Sequence, residues 1–131
     1  MKVVTLLARV LLGLAFVVFG SNFFLHFLPM PAPEPESAPA KFFSVMGPSG
    51  WMAVVAVCQI VGGLLVLSGF LTPLGLVVLG PVIVNILCYH LFIDHQFNPI
   101  AVGVLVLEVF LIWRYWPHFA PIFDTRTRQV S

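Results

Sequence analysis

The sequence predicts an all-α integral membrane protein: a four-helix bundle with both termini in the cytoplasm, a proline-rich external loop and a short interfacial helix. Three observations carry that prediction. The 131 residues are 60% hydrophobic and only 8% charged, against about half and a quarter in soluble domains. Four apolar stretches, about 3–28, 51–70, 74–93 and 99–116, are each close to the roughly 20 residues that cross a hydrocarbon core. The lysines and arginines are divided unequally between the two ends of those stretches.

Apolar surface on this scale has no hiding place in so short a water-soluble fold, because small domains bury only about two-thirds of what the unfolded chain exposes. The mean hydropathy of +1.08 agrees. In lipid every backbone group must be satisfied internally, and no alternating barrel pattern is present, so the spans are helices. Residues 1–131 form one domain. The net charge of +1 leaves no basic footprint for nucleic acid.

The first stretch follows Lys2 and is too long for a secretory signal, so it is expected to be a retained helix. It ends at a run with proline at alternate positions, Pro29 to Glu36, which forbids helix and favours extended chain. Ser37 to Met46, closed by Gly47, should form a short helix at the membrane interface. Thr72-Pro73 and Asn98-Pro99 read as a capping side chain followed by proline at the first helical position. Both flank short connections, so the second, third and fourth spans should be antiparallel neighbours. Trp51, Tyr89, Trp113, Tyr115 and Trp116 stand towards helix ends, where interfacial anchors belong. The first and third stretches echo each other, with Leu12-Gly13-Leu14, Asn22 and His26 against Leu74-Gly75-Leu76, Asn85 and His90. That pattern suggests a parallel repeat of two hairpins.

Polar residues inside the spans are the candidates for function, since such groups are unfavourable in lipid and usually face a bundle interior. Depth follows from a rise of 1.5 Å per residue. Counted from the external ends, Asn22 lies about 9 Å down, Gln59 and Asn85 about 12 Å and Glu108 about 14 Å, while His26 and His90 stand within about 5 Å of the boundary. The expectation is a common polar layer, one side chain per helix, with the histidines above it. Glu108, the candidate catalytic residue, is expected there as the neutral acid, hydrogen-bonded to Asn85 or Gln59 or paired with a histidine. His90 should point about 140° away from Asn85. Arg9 reads as a cytoplasmic anchor that snorkels. Cys58 and Cys88, about 10 Å and 8 Å down on neighbouring helices, could form a redox pair. The histidine spacing gives no metal motif.

These residues resemble the DoxX family of small bacterial and archaeal membrane proteins. The resemblance rests on Arg9-Val10-Leu11-Leu12-Gly13-Leu14, Gly20-Ser21-Asn22-Phe23, His26-Phe27-Leu28-Pro29-Met30-Pro31, Ile60-Val61-Gly62-Gly63-Leu64-Leu65, Pro81-Val82-Ile83-Val84-Asn85-Ile86, His90-Leu91-Phe92 and Leu107-Glu108-Val109-Phe110. It implies a four-helix membrane fold and an association with quinone-linked sulfur metabolism and thiol or electrophile stress. Gln59 stands where many relatives are expected to carry an acid, which leaves Glu108 as the one acid of the layer. The leading expectation is a component of a redox or respiratory membrane system that binds a quinone or similar apolar molecule against the polar layer. The alternatives are an accessory subunit without chemistry, stabilising a larger membrane complex or a homo-oligomer, and a small transporter.

Lys2, Arg9, Arg114, Arg126 and Arg128 fall on the side of the termini and Lys41 alone on the other. Topology reporters fused at the C-terminal end should therefore read cytoplasmic, and reporters inserted between Pro29 and Glu36 external. An external C-terminus would reverse the orientation.

Overall fold

The computed structural model describes residues 1–126 and 129; Arg128, one of the five charges counted above, lies outside the described residues. The described chain is helical, with no strand. It runs α1 (Lys2–Leu25), α2 (Ala38–Met46), α3 (Trp51–Ser68), α4 (Thr72–Cys88), a π-helical turn (Tyr89–Asp94), α5 (Pro99–Arg114), α6 (Trp116–Phe119) and a 3-10 turn (Ala120–Phe123). The long helices α1, α3, α4 and α5 alternate in direction and close into a ring, α1 meeting α3 and α5, and α4 meeting α3 and α5. One end of the ring carries Lys2 and the end of α5. The other is covered by α2 and the proline-rich segment.

α1, α3 and α4 with its π turn are each long and apolar enough to cross a membrane. α5 is shorter than expected. Its 16 residues rise about 24 Å, and after Tyr115 the chain bends by 80° into α6. Pro117 stands at the start of α6, where it cannot continue the α5 ladder. The boundaries otherwise shift for local reasons. α1 stops at Leu25 because His26 adopts a left-handed conformation, φ 52°, and Asn22 Oδ1 accepts the N–H of Leu28 at 2.7 Å. α3 stops at Gly69, φ 79°, a C-terminal conformation that glycine adopts without strain.

One of the two expected caps forms: Asn98 Oδ1 accepts from the N–H groups of Ile100 and Ala101. Ser37 Oγ, not expected as a cap, accepts from the N–H of Ala40 at the start of α2. The Thr72 cap does not form. Thr72 is itself the first helical residue of α4, after Leu71 in a left-handed conformation, and its buried hydroxyl has no hydrogen-bond partner among the described residues. Tyr89 is not a lipid anchor either: its ring packs on Phe42 and Phe43 of α2.

Helices that are apolar all round gain little from burying one face rather than another, and close backbone approach holds them instead. The sequence supplies it with small residues seven apart. A Cβ on Gly13 would stand 2.8 Å from the Gly63 carbonyl oxygen, and one on Gly20 2.8 Å from that of Ala56. The adjacent Gly62 serves the other neighbour, since a Cβ there would lie 2.8 Å from Leu79 of α4. Gly75 of the second Leu-Gly-Leu also packs on α3, against Val66, rather than on α5 as a strict repeat of the two hairpins would place it. Below mid-span Leu12, Val66, Leu76, Leu79 and Leu111 are fully buried.

Gly13→Leu or Gly20→Leu should destabilise the protein by about 1–3 kcal/mol or more, because backbone cannot move aside. Gly103→Ala, where a Cβ meets nothing within 4 Å, should be neutral or slightly stabilising. Thermal unfolding in mild detergent would measure both, and equal tolerance at Gly13 and Gly103 would contradict the packing.

Candidate functional site

The half of the bundle under α2 is not packed solid. It holds a cavity of about 1030 Å³ between α1, α3, the end of α4 and α5, roofed by Met30 to Ser37 and by Phe43. Its walls are aromatic and aliphatic, with Phe16, Phe19, Phe23, Met52, Val55 and Ile86 among them, and its floor is Phe16 and Val104, 2% and 7% exposed. Polar groups interrupt that surface at Asn22, His26, Gln59, Tyr89, His90, Asp94 and Asn98. Pockets for small molecules have this make-up, mostly apolar with a few placed polar groups, and this one is at the upper end of their usual size.

The local backbone positions each of these. Asn22 is 8% exposed, and its carbonyl side is taken up by the Leu28 N–H, so its amide NH₂ is the part left towards the cavity. Gln59 stands where α3 passes Gly20, whose missing side chain makes room for it. Its carboxamide has no hydrogen bond among the described residues. His26 lines the rim at the left-handed end of α1. His90 enters through the π turn, whose extra residue per turn re-aims side chains.

A continuous set of hydrogen bonds fixes the His90 ring. Asn98 uses its side-chain oxygen on the α5 cap, so its NH₂ faces His90 Nε2 at 3.4 Å and donates to it. Nδ1–H then donates to Asp94 Oδ2 at 3.3 Å. The end of α4 is thereby tied to the start of α5. Neither Asp94 nor Asn98 was foreseen as a site residue; Asn98 was legible only as a cap, and Asp94 only as an external charge.

The common polar layer does not form. Asn85 is exposed on the outer face of α4 and bonds back to the Pro81 carbonyl at 2.9 Å. Cys88 is exposed as well, while His90 lies inside, consistent with its angular offset from Asn85. Glu108 is 3% exposed but is not on the cavity wall. It lies one turn below Val104 on α5, facing Gly80 of α4: a Cβ there would stand 3.8 Å from Oε1. Neither carboxyl oxygen has a hydrogen-bond partner among the described residues, so the expected bonds to Asn85 and Gln59 are absent. The cysteines are free thiols. Gly62 meets Leu79 and Val66 meets Gly75, a register that sets Cys58 beside Ile83, about 7.5 Å along the axis from Cys88. With the helix separation added, that is beyond disulfide reach. The depth estimates had missed it because α4 with its π turn rises above the start of α3.

A helical bundle with long apolar spans, packed in one half and opened into a cavity of mixed polarity in the other, defines a membrane protein of the helical-bundle class. The chain belongs to the DoxX family, whose family model matches residues 4–92. The match takes in α1 to α4 and most of the π turn. It stops short of α5, so Leu107-Glu108-Val109-Phe110 lies outside it. No curated protein and no solved structure matches the chain.

Two substitutions separate the bonded from the unbonded polar groups. Asn22→Leu leaves the Leu28 N–H unpaired and should destabilise by about 1–3 kcal/mol. Glu108→Leu removes an acid without a partner and fills a similar volume, so stability should hold or rise. Chemical denaturation in detergent reads both. A strongly destabilised Glu108→Leu would mean that the carboxyl is bonded after all.

Proposed function

We propose that this protein binds an apolar molecule with a polar head, a quinone or a molecule of that kind, in the cavity beneath α2. In this reading it serves as a component of a redox or respiratory system of the cytoplasmic membrane, with its termini inside. The observation that carries the reading is the free carboxamide of Gln59 on an aromatic-walled cavity, beside the spare NH₂ of Asn22 and the fixed ring of His90. Quinone oxygens accept hydrogen bonds, and Gln59, Asn22 and the Tyr89 hydroxyl can donate them. Phe16, Phe19 and Phe23 supply flat apolar surface for a ring.

Binding is favoured over permeation by the packing below the floor. Leu12, Leu76, Leu79 and Leu111 are all buried between the cavity and the Lys2 end. Glu108 stands between the floor and that packed layer. It is the protonatable group nearest the cavity from below, and we assign it any proton exchange with the bound head.

Protein extracted in mild detergent should carry quinone in stoichiometric amount after solvent extraction and chromatography. Gln59→Leu should weaken retention about tenfold, the worth of one buried hydrogen bond. Glu108→Gln should retain the molecule yet lose cellular function. A quinone-to-phospholipid ratio equal to that of the bulk membrane, from folded protein, would exclude the quinone reading.

A further inference from the structure

The opposite end of the bundle carries a second recess, and we infer that it is a binding site for a phosphate group. Lys2, Thr5, Leu6 and Arg9 share one face of α1, and the end of α5 brings Arg114 and Tyr115 against them around about 300 Å³. Three cations thus converge with two hydroxyl-bearing side chains. The two arginines are held in place. Arg114 Nε donates to Thr5 Oγ1 at 2.9 Å, while the Thr5 hydroxyl donates to the Met1 carbonyl at 2.8 Å. That leaves the terminal nitrogens of Arg114 unused by Thr5. The Arg9 guanidinium lies against Gly69, where a Cβ would stand 2.9 Å from Cζ; the glycine at the end of α3 makes its room. Arg9 Nε is buried and has no hydrogen-bond partner among the described residues.

No acid answers these charges. Among the described residues Glu34, Glu36 and Asp94 belong to the other end and Glu108 to mid-span. Asp124 accepts from the Arg126 backbone N–H and does not line the recess. A lysine and arginine bias for topology needs only exposed charges near one interface. Two half-buried guanidiniums pinned into one recess go further, and guanidinium forks match the oxygens of a phosphate. The exposed Trp113 ring has its centroid 5.6 Å from the Arg114 guanidinium, a pairing suited to headgroup depth. The phosphate can come from an anionic lipid or from a free phosphate in solution, and the two are separable.

The full chain would be placed in nanodiscs of phosphatidylcholine, with and without phosphatidylglycerol, and lipid adducts counted by native mass spectrometry. Inorganic phosphate would be titrated separately, with thermal shift as readout. If a lipid is the source, phosphatidylglycerol adducts exceed phosphatidylcholine adducts about tenfold and fall by as much in the Arg9→Gln/Arg114→Gln double variant. The exposed Lys41→Gln on α2 changes nothing. If free phosphate is the source, it raises the melting temperature of wild type and not of the double variant, without lipid preference. Equal retention of both lipids with no response to phosphate overturns the site, as does full retention by a folded double variant. Should the double variant fail to fold, the wild-type lipid preference and its competition by phosphate decide the matter alone.

Discussion

The contact between α1 and α3 sets the rest of the bundle. Lipid tails are as apolar as leucine, so transmembrane helices associate through close packing rather than through escape from water. Gly13 against Gly63 and Gly20 against Ala56 bring two backbones together along one antiparallel register. That register has chemical consequences at both ends. Towards α2 it lays Gln59 beside Gly20, one half-turn from Asn22. Towards the termini it brings Arg9 onto Gly69. Both recesses are therefore built on one interface, and the paired glycines Gly62 and Gly63 let α3 approach α4 and α1 at once.

The other seams are looser, and the cavity follows from that. On α4 and α5 the small residues Gly80 and Gly103 do not draw backbones together. Gly80 faces the Glu108 carboxyl at ordinary contact distance and Gly103 faces open space. The ring is tight along α1, α3 and the lower part of α4, and it splays where α4 turns into its π segment. Asn98, His90 and Asp94 hold the splayed elements at fixed distance. The Asn98–His90 contact is the one that crosses the gap; His90 and Asp94 belong to the same turn.

The sequence made the elements legible, misjudged heights on α4 because of its π turn, and left directions hidden. The spans, the short helix α2 and the Asn98 cap follow from punctuation and length. Azimuth is different, because a helix apolar all round carries no periodic stripe to say which face is inside. Asn22 and Asn85 occupy echoing positions in similar segments, yet one is buried in the bundle and the other faces outward with its own carbonyl for a partner. The π turn that re-aims His90 has no sequence signature of its own. The fourth span is expected to run to Trp116, and the bend after Tyr115, with α5 ending at Arg114, is not legible in the sequence. The cationic recess escaped notice for another reason: Arg9 and Arg114 were each explicable singly as interfacial charges, and only the fold shows that they converge.

Glu108 is the residue whose presence stability explains least. Interhelical glue requires a partner, and the described residues offer it none. A buried acid without hydrogen bonds is worse than an apolar side chain of the same size, so packing alone would favour leucine at that position. Its surroundings are dry on the side of the termini, where Leu79 and Leu111 close the core, and Val104 is the one layer that separates it from the cavity above. A ligand seated on that floor would stop at Val104, one helical turn above the carboxyl. An acid so placed adds nothing to the packed bundle, and it lies one turn below the cavity floor rather than on its wall.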